Sequence, residues 1–180
     1  MQQQTESRSR ASDMPDLLNS FYGVWQLTDW SVTNSATGNA RLPYDGHVDG
    51  HLIYSRDGWV SATLMERDRK PVSDDRRALY ALARQIVAGD VAAIDHRSAA
   101  LVLPYFLAGF GYVSYCGPFR VEGGKVYHEL RNSLIPQWIG TTLVREFEFD
   151  DGARRLTLSA QQAGTVDRLV WQRLGNGEVQ

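Results

Sequence analysis

The chain has almost no cysteine. Cys116 stands alone in 180 residues, so no intramolecular disulfide and no cysteine-rich zinc site can form. It has no apolar run near the roughly 18 residues needed to span a bilayer. It has little net charge: 19 Lys and Arg against 21 Asp and Glu give −2. That balance offers no electrostatic footprint for nucleic acid or for an anionic membrane, and neither is expected as a partner. The segment MQQQTESRSRASDMP has no apolar core behind its arginines, so no export signal is expected and the cytoplasm is the expected compartment.

What is present is aromatic. Five Trp, eight Tyr and six Phe make up 11% of the chain, and hydrophobic residues 43%. A neutral domain of that composition suits a β-rich core or an aromatic-lined pocket. One domain is expected over 17–174, with polar tails at 1–16 and 175–180.

Strand signals dominate. Gly23 to Thr33 is β-branched and aromatic; His51–Ser55 and Trp59–Leu64 flank Asp57-Gly58, which predicts a hairpin with a two-residue turn. From Tyr112 the hydrophobic period is two, interrupted by turn signals at Gly123-Gly124, at Pro136 to Gly140 and at Asp150-Asp151-Gly152. About eight strands result, the pattern of an antiparallel sandwich or barrel. Between the early and late strands lies a helical insertion, 74–111. Leu79, Leu82 and Ile86 recur at helical spacing behind a Ser73 or Asp74 cap. Val91 to Leu103 is Ala-rich, and Pro104 is expected to start a new turn or helix.

Alternation then places polar groups on apolar faces. If Phe147 and Phe149 face the core, so does Arg145; if Val126 and Leu130 do, so do His128 and Asn132; if Phe119 and Val121 do, so does Tyr115. Such groups are costly to bury unless they pair with one another or with a ligand. Arg145 reads as a structural arginine or as an anion- or carbonyl-recognising group. His128 reads as a satisfied core histidine or as a ligand hydrogen-bonder or general base. Asn132 reads as its network partner, and Tyr54 and Trp138 as neighbours near the lining. Cys116 falls opposite Tyr115 and reads as a buried structural thiol. His47 and His51 sit four apart, but on a loop entering a strand, and His96 sits beside Asp95 on a helix, where solvation is expected. No dinucleotide loop, phosphate loop or nucleophile elbow occurs, so no cofactor and no metal is expected.

Gly23-x-Trp25, the stretch Gly50-x-Leu52-Ile53-Tyr54-x-x-Asp57-Gly58-x-x-Ser61-Ala62, and a later block carry a resemblance. That block is Tyr112-x-x-Tyr115-x-Gly117-x-Phe119-x-Val121, Gly124-x-Val126-x-His128, then Ser133-Leu134-x-Pro136-x-Trp138-x-Gly140-Thr141-x-x-x-Arg145-x-Phe147. Together they resemble the bacterial and fungal lipocalin-like domain family, over roughly Leu17 to Leu174. The resemblance implies a calycin-type closed antiparallel barrel with an internal cavity. Trp25 would plug its closed end, with Arg173 or Arg168 packed over it. The family usually keeps the connection before the Tyr112 strand short; here 74–111 is longer and strongly apolar, which suits a lid over the cavity or a homodimer contact.

Three functions follow as expectations. The first is binding of a small hydrophobic or aromatic molecule in the cavity, through Tyr54, Tyr115, His128, Asn132, Trp138 and Arg145. The second is a cofactor-free acid–base enzyme, an isomerase, cyclase or dehydratase on a polyketide-, terpenoid- or aromatic-like substrate. There His128 moves the proton while Arg145 and Tyr115 stabilise an oxyanion. The third is a protein-interaction module that uses the insertion.

Overall fold

The computed structural model describes residues 17–69, 71–72, 75–89 and 95–175. The expected tails, 1–16 and all of 175–180 except Gly175, lie outside the described residues, as do the candidate helix caps Ser73 and Asp74.

Ten strands follow one another: β1 Gly23–Asn34, β2 Ala40–Arg41, β3 Val48–Tyr54, β4 Trp59–Glu66, β5 Tyr112–Glu122, β6 Lys125–Glu129, β7 Asn132–Ser133, β8 Thr142–Phe149, β9 Arg155–Gln162 and β10 Thr165–Arg173. Eight of them form an up-and-down antiparallel sheet in the order β1-β3-β4-β5-β6-β8-β9-β10, and β10 pairs back onto β1. The sheet is therefore a closed barrel with no long open edge. The two-residue strands β2 and β7 pair with β1 and β5.

Turn chemistry explains the hairpins. Gly123 and Gly124 both take positive φ, 58° and 76°, which a two-residue turn joining Glu122 to Lys125 requires. The β3–β4 connection differs from expectation. Only Gly58 is left-handed, at φ 81°. Its N–H donates to the Ser55 carbonyl at 3.1 Å, and the Ser55 N–H donates to Trp59 at 2.8 Å. The hairpin stands, but its loop runs from Ser55 to Gly58 rather than through two residues.

One end of the barrel is stoppered. A helical turn at 17–19 delivers Phe21 into the core, where its ring meets Tyr54, Phe147 and Phe149 edge-on at 4.9–5.1 Å between centroids. Trp25 is fully buried and donates from Nε1 to the Phe21 carbonyl at 2.8 Å. Arg173, its partner on β10, lies over the indole at 4.1 Å. The guanidinium also donates to the carbonyls of Tyr22, Ser20 and Ala153 at 2.6, 2.6 and 2.9 Å. Of the two arginines considered for this place, Arg168 instead faces Asp29 at 3.7 Å.

The insertion leaves β4 and returns to β5 at the opposite, open end. It holds two helices, α1 Arg76–Val87 and α2 His96–Phe110. Asp75 caps α1, accepting from the Ala78 N–H at 3.0 Å, and Asp95 caps α2, accepting from Ser98 at 2.7 Å. Exposed His96 is the first residue of α2. Pro104 does not begin a new element; it lies inside α2, which runs on to Phe110. The insertion is tied to the barrel at the end of α2: Tyr44 donates to the Phe110 carbonyl at 3.1 Å and Arg69 to the Ala108 carbonyl at 2.6 Å. No residue of α2 is fully buried, and Leu103, Phe106 and Phe110 are exposed. In the single chain these side chains are left uncovered.

The stopper generates a prediction. Trp25→Ala empties a large buried aromatic and removes the ring beneath Arg173, so unfolding free energy should fall by about 3–5 kcal/mol in denaturant titration. A loss under about 1 kcal/mol would contradict the role given to this residue.

Candidate functional site

The site starts from three neighbouring positions on the barrel wall. Tyr54 ends β3, Tyr115 lies in β5 and His128 in β6. All three are buried, and His128 is the one buried polar residue of the core among the described residues. The Tyr54 hydroxyl lies 2.8 Å from His128 Nε2, and the Tyr115 hydroxyl 3.0 Å from Nδ1. Both ring nitrogens are thus satisfied, as a buried imidazole requires.

The tautomer follows from the surroundings. A neutral imidazole donates from one nitrogen and accepts at the other. Tyr54 is packed against Phe21 and Phe119 and has no other polar partner among the described residues, so its hydroxyl proton goes to Nε2. The proton of His128 then sits on Nδ1 and is donated to the Tyr115 oxygen. Burial, and secondly the positive charge of Arg145, pull the His128 pKa down to about 3, so the ring is neutral at ordinary pH. Burial raises the pKa values of Tyr54 and Tyr115, so both keep their protons.

Tyr115 is also the boundary of an open cavity of about 200 Å³ in the other half of the barrel. Trp30 and Trp171 line it from β1 and β10, Val113 and Leu158 from β5 and β9, and Arg145 from β8. Trp138, held on the short helix Pro136–Trp138, stands at its edge with its ring centroid 6.2 Å from that of Tyr115.

The structure therefore brings Tyr115, Trp138 and Arg145 to one cavity and corrects the placing of the others. Tyr54 and His128 do not line it; they stand behind Tyr115, toward the stoppered end. Asn132 is exposed on the outer wall, where its Oδ1 lies 3.7 Å from the Cys116 thiol. The cause is a one-residue slip along β5. Phe119 faces His128 on β6, whereas Tyr115 faces Ser133 on β7. At the slip the chain passes so close to Gly117 that a Cβ there would lie 1.8 Å from the Glu129 carbonyl oxygen. Cys116, expected to be buried, is only half-buried. His47 and His51 are exposed, and no group of metal-ligating side chains forms among the described residues.

Three of the aromatic and charged lining residues were not among those expected: Trp30, Asp167 and Trp171. Alternation from Trp25 and Leu27 sends Trp30 outside. A register shift between Leu27 and Asp29 turns it in. Asp167, Leu169 and Trp171 do alternate, and that pattern was there to be found.

A closed antiparallel barrel, stoppered at one end and hollow at the other, defines the architecture. The lipocalin-like domain profile matches residues 22–174, and the chain belongs to that family. No curated protein sequence matches it. Among solved structures it is similar to a mutant form of the fluorescent protein UnaG, with 11% identity, a TM-score of 0.38 and coverage of 88% of this chain and 99% of that one. It is also similar to Echinococcus granulosus fatty-acid-binding protein 1, with 12% identity, a TM-score of 0.37 and coverage of 87% and 99%.

The buried histidine generates a pH prediction. Its pKa is depressed on folding, so its contribution is complete above the unfolded value near 6.5 and is lost as pH falls from there toward about 3. His128→Gln should flatten the fall in stability between pH 6.5 and 5, read from urea midpoints at each pH. Parallel curves for the two proteins would contradict the neutral, buried imidazole.

Proposed function

We propose that the protein binds one small, largely apolar or aromatic molecule in the open half of the barrel. The observation that carries this reading is the cavity itself: about 200 Å³, walled by Trp30, Trp138, Trp171 and aliphatic side chains, and left unfilled by the described residues. Ligand pockets commonly span roughly 300–1,000 Å³, so this one suits a molecule of one or two rings. Membership of the lipocalin-like domain family supports the same reading. An interaction module built on a filled barrel has less support for the same reason.

The acid–base reading also has less to stand on. It gives the proton to His128, yet both His128 nitrogens are engaged by tyrosines, Tyr115 stands between it and the cavity, and the ring is a weak base. Only Tyr115 and Arg145 of the three proposed catalytic groups meet the cavity. A polar cluster whose inner members, Tyr54 and His128, are fully hydrogen-bonded helps a binding site hold one shape.

Calorimetric titration with 2-acetylnaphthalene, an uncharged two-ring probe, should give saturable 1:1 binding. Val113→Trp should fill the cavity and abolish it without loss of the folded state. Equal binding by this variant would place the probe elsewhere and overturn the reading.

The insertion serves this site in our reading, as a lid or as a homodimer contact, because the exposed apolar side chains of α2 stand beside the open end. Removing Leu79 to Ala100 should leave a folded barrel. A lid predicts altered probe affinity in a monomer; a dimer contact predicts a change in sedimentation. A variant unchanged in both would exclude both roles.

A further inference from the structure

The polar groups around the cavity are lopsided: donors outnumber acceptors. Tyr115 accepts from His128 Nδ1, so its own hydroxyl proton has no partner among the described residues, and it sits on the cavity wall. Trp171 is about 2% exposed, and its Nε1 is buried without any hydrogen-bond acceptor. Arg145 has five N–H donors. Its guanidinium donates to the Val144 carbonyl at 3.0 Å, and among the described residues no carboxylate pairs with it. On the other side stands the Asp167 carboxylate, already accepting from Trp30 Nε1 at 3.1 Å.

Unmatched donors in a partly dry cavity are costly unless something that enters accepts from them. A hydrocarbon would leave the Arg145 and Tyr115 donors unmatched. A planar oxygen anion fits the arginine fork and accepts a hydrogen bond from the tyrosine hydroxyl as well. A single arginine, with Asp167 on the same lining, limits the guest to one negative charge, which favours a carboxylate over a phosphate.

Building on the binding reading above, we infer that the ligand is an aromatic or short apolar monocarboxylate, its carboxylate held by Arg145 and the Tyr115 hydroxyl and its apolar body among Trp30, Trp138 and Trp171. Arg145 is then the residue that selects the ligand's charge, while the tryptophans set its size.

The experiment compares 2-naphthoate with 2-acetylnaphthalene, which matches it in shape but carries no charge. Calorimetry at pH 7 on the whole chain should show naphthoate binding at least tenfold more tightly. Arg145→Gln should cost naphthoate at least tenfold more affinity than it costs the ketone, closing the gap between the two probes. Arg145→Lys keeps the charge without the planar fork and should retain part of the preference, which guards against a folding defect in the first variant. Equal affinity of the two probes for the unaltered protein would overturn the charge assignment while leaving small-molecule binding in place. So would a preference that survives Arg145→Gln. Failure of both probes to bind would overturn the binding reading, and this inference with it.

Discussion

The barrel depends on the meeting of its first and last strands, and Arg173 is the side chain that secures the meeting. Its guanidinium stacks on Trp25 of β1 and holds the carbonyls of Ser20 and Tyr22, which lead into that strand. It also holds the carbonyl of Ala153, in the turn between β8 and β9. Three chain segments distant in sequence are thereby fixed around one buried indole. A guanidinium suits the task because its donors lie in one plane and its face is apolar enough to rest on a ring. An ammonium group gathers its three donors on one atom and offers no plane to stack on the ring.

From that stopper the barrel interior changes character along its axis. Phe21, Phe147 and Phe149 make a dry layer above Trp25. Next comes the Tyr54–His128–Tyr115 chain, polar yet internally matched up to its last proton. Beyond it lies the cavity. The dry layer fixes the direction of the hydrogen-bond chain, because Tyr54 can find no acceptor except the imidazole. The side chain at the closed end thus decides what Tyr115 presents at the open one.

Much of this was legible in the sequence, for a physical reason. A half-buried strand shows period two, so Tyr115, His128 and Arg145 could be placed on inward faces from their apolar neighbours. The Gly-x-Trp pair and the late arginine marked the closed end. The failures share a cause. Asn132 was placed inside and Trp30 was missed because each lies beyond a one-residue shift in register, at Gly117 and between Leu27 and Asp29. Such a shift reverses every face downstream of it and leaves only faint marks in composition. Pro104 misled in a different way: the ring was read as a boundary, and α2 continues through it. The depth of His128 relative to the cavity was beyond pattern reading, because alternation gives a direction and not a distance along the barrel axis.

Closure of β1 against β10 also has a consequence in time. The hydrogen bonds that Arg173 makes to the start of β1 span 151 and 153 positions of the chain. On a ribosome that adds roughly 5–20 residues each second, β1 waits roughly 7–30 s for its final partner. Throughout that interval one edge of β1 is unpaired and the indole of Trp25 has no cation above it. Contacts this remote in sequence place barrels among the slower-folding small domains. The barrel's own final strand, β10, is therefore the one that commits the barrel, and a barrel without Arg173 would keep its hairpins yet lack the seam that makes them a vessel.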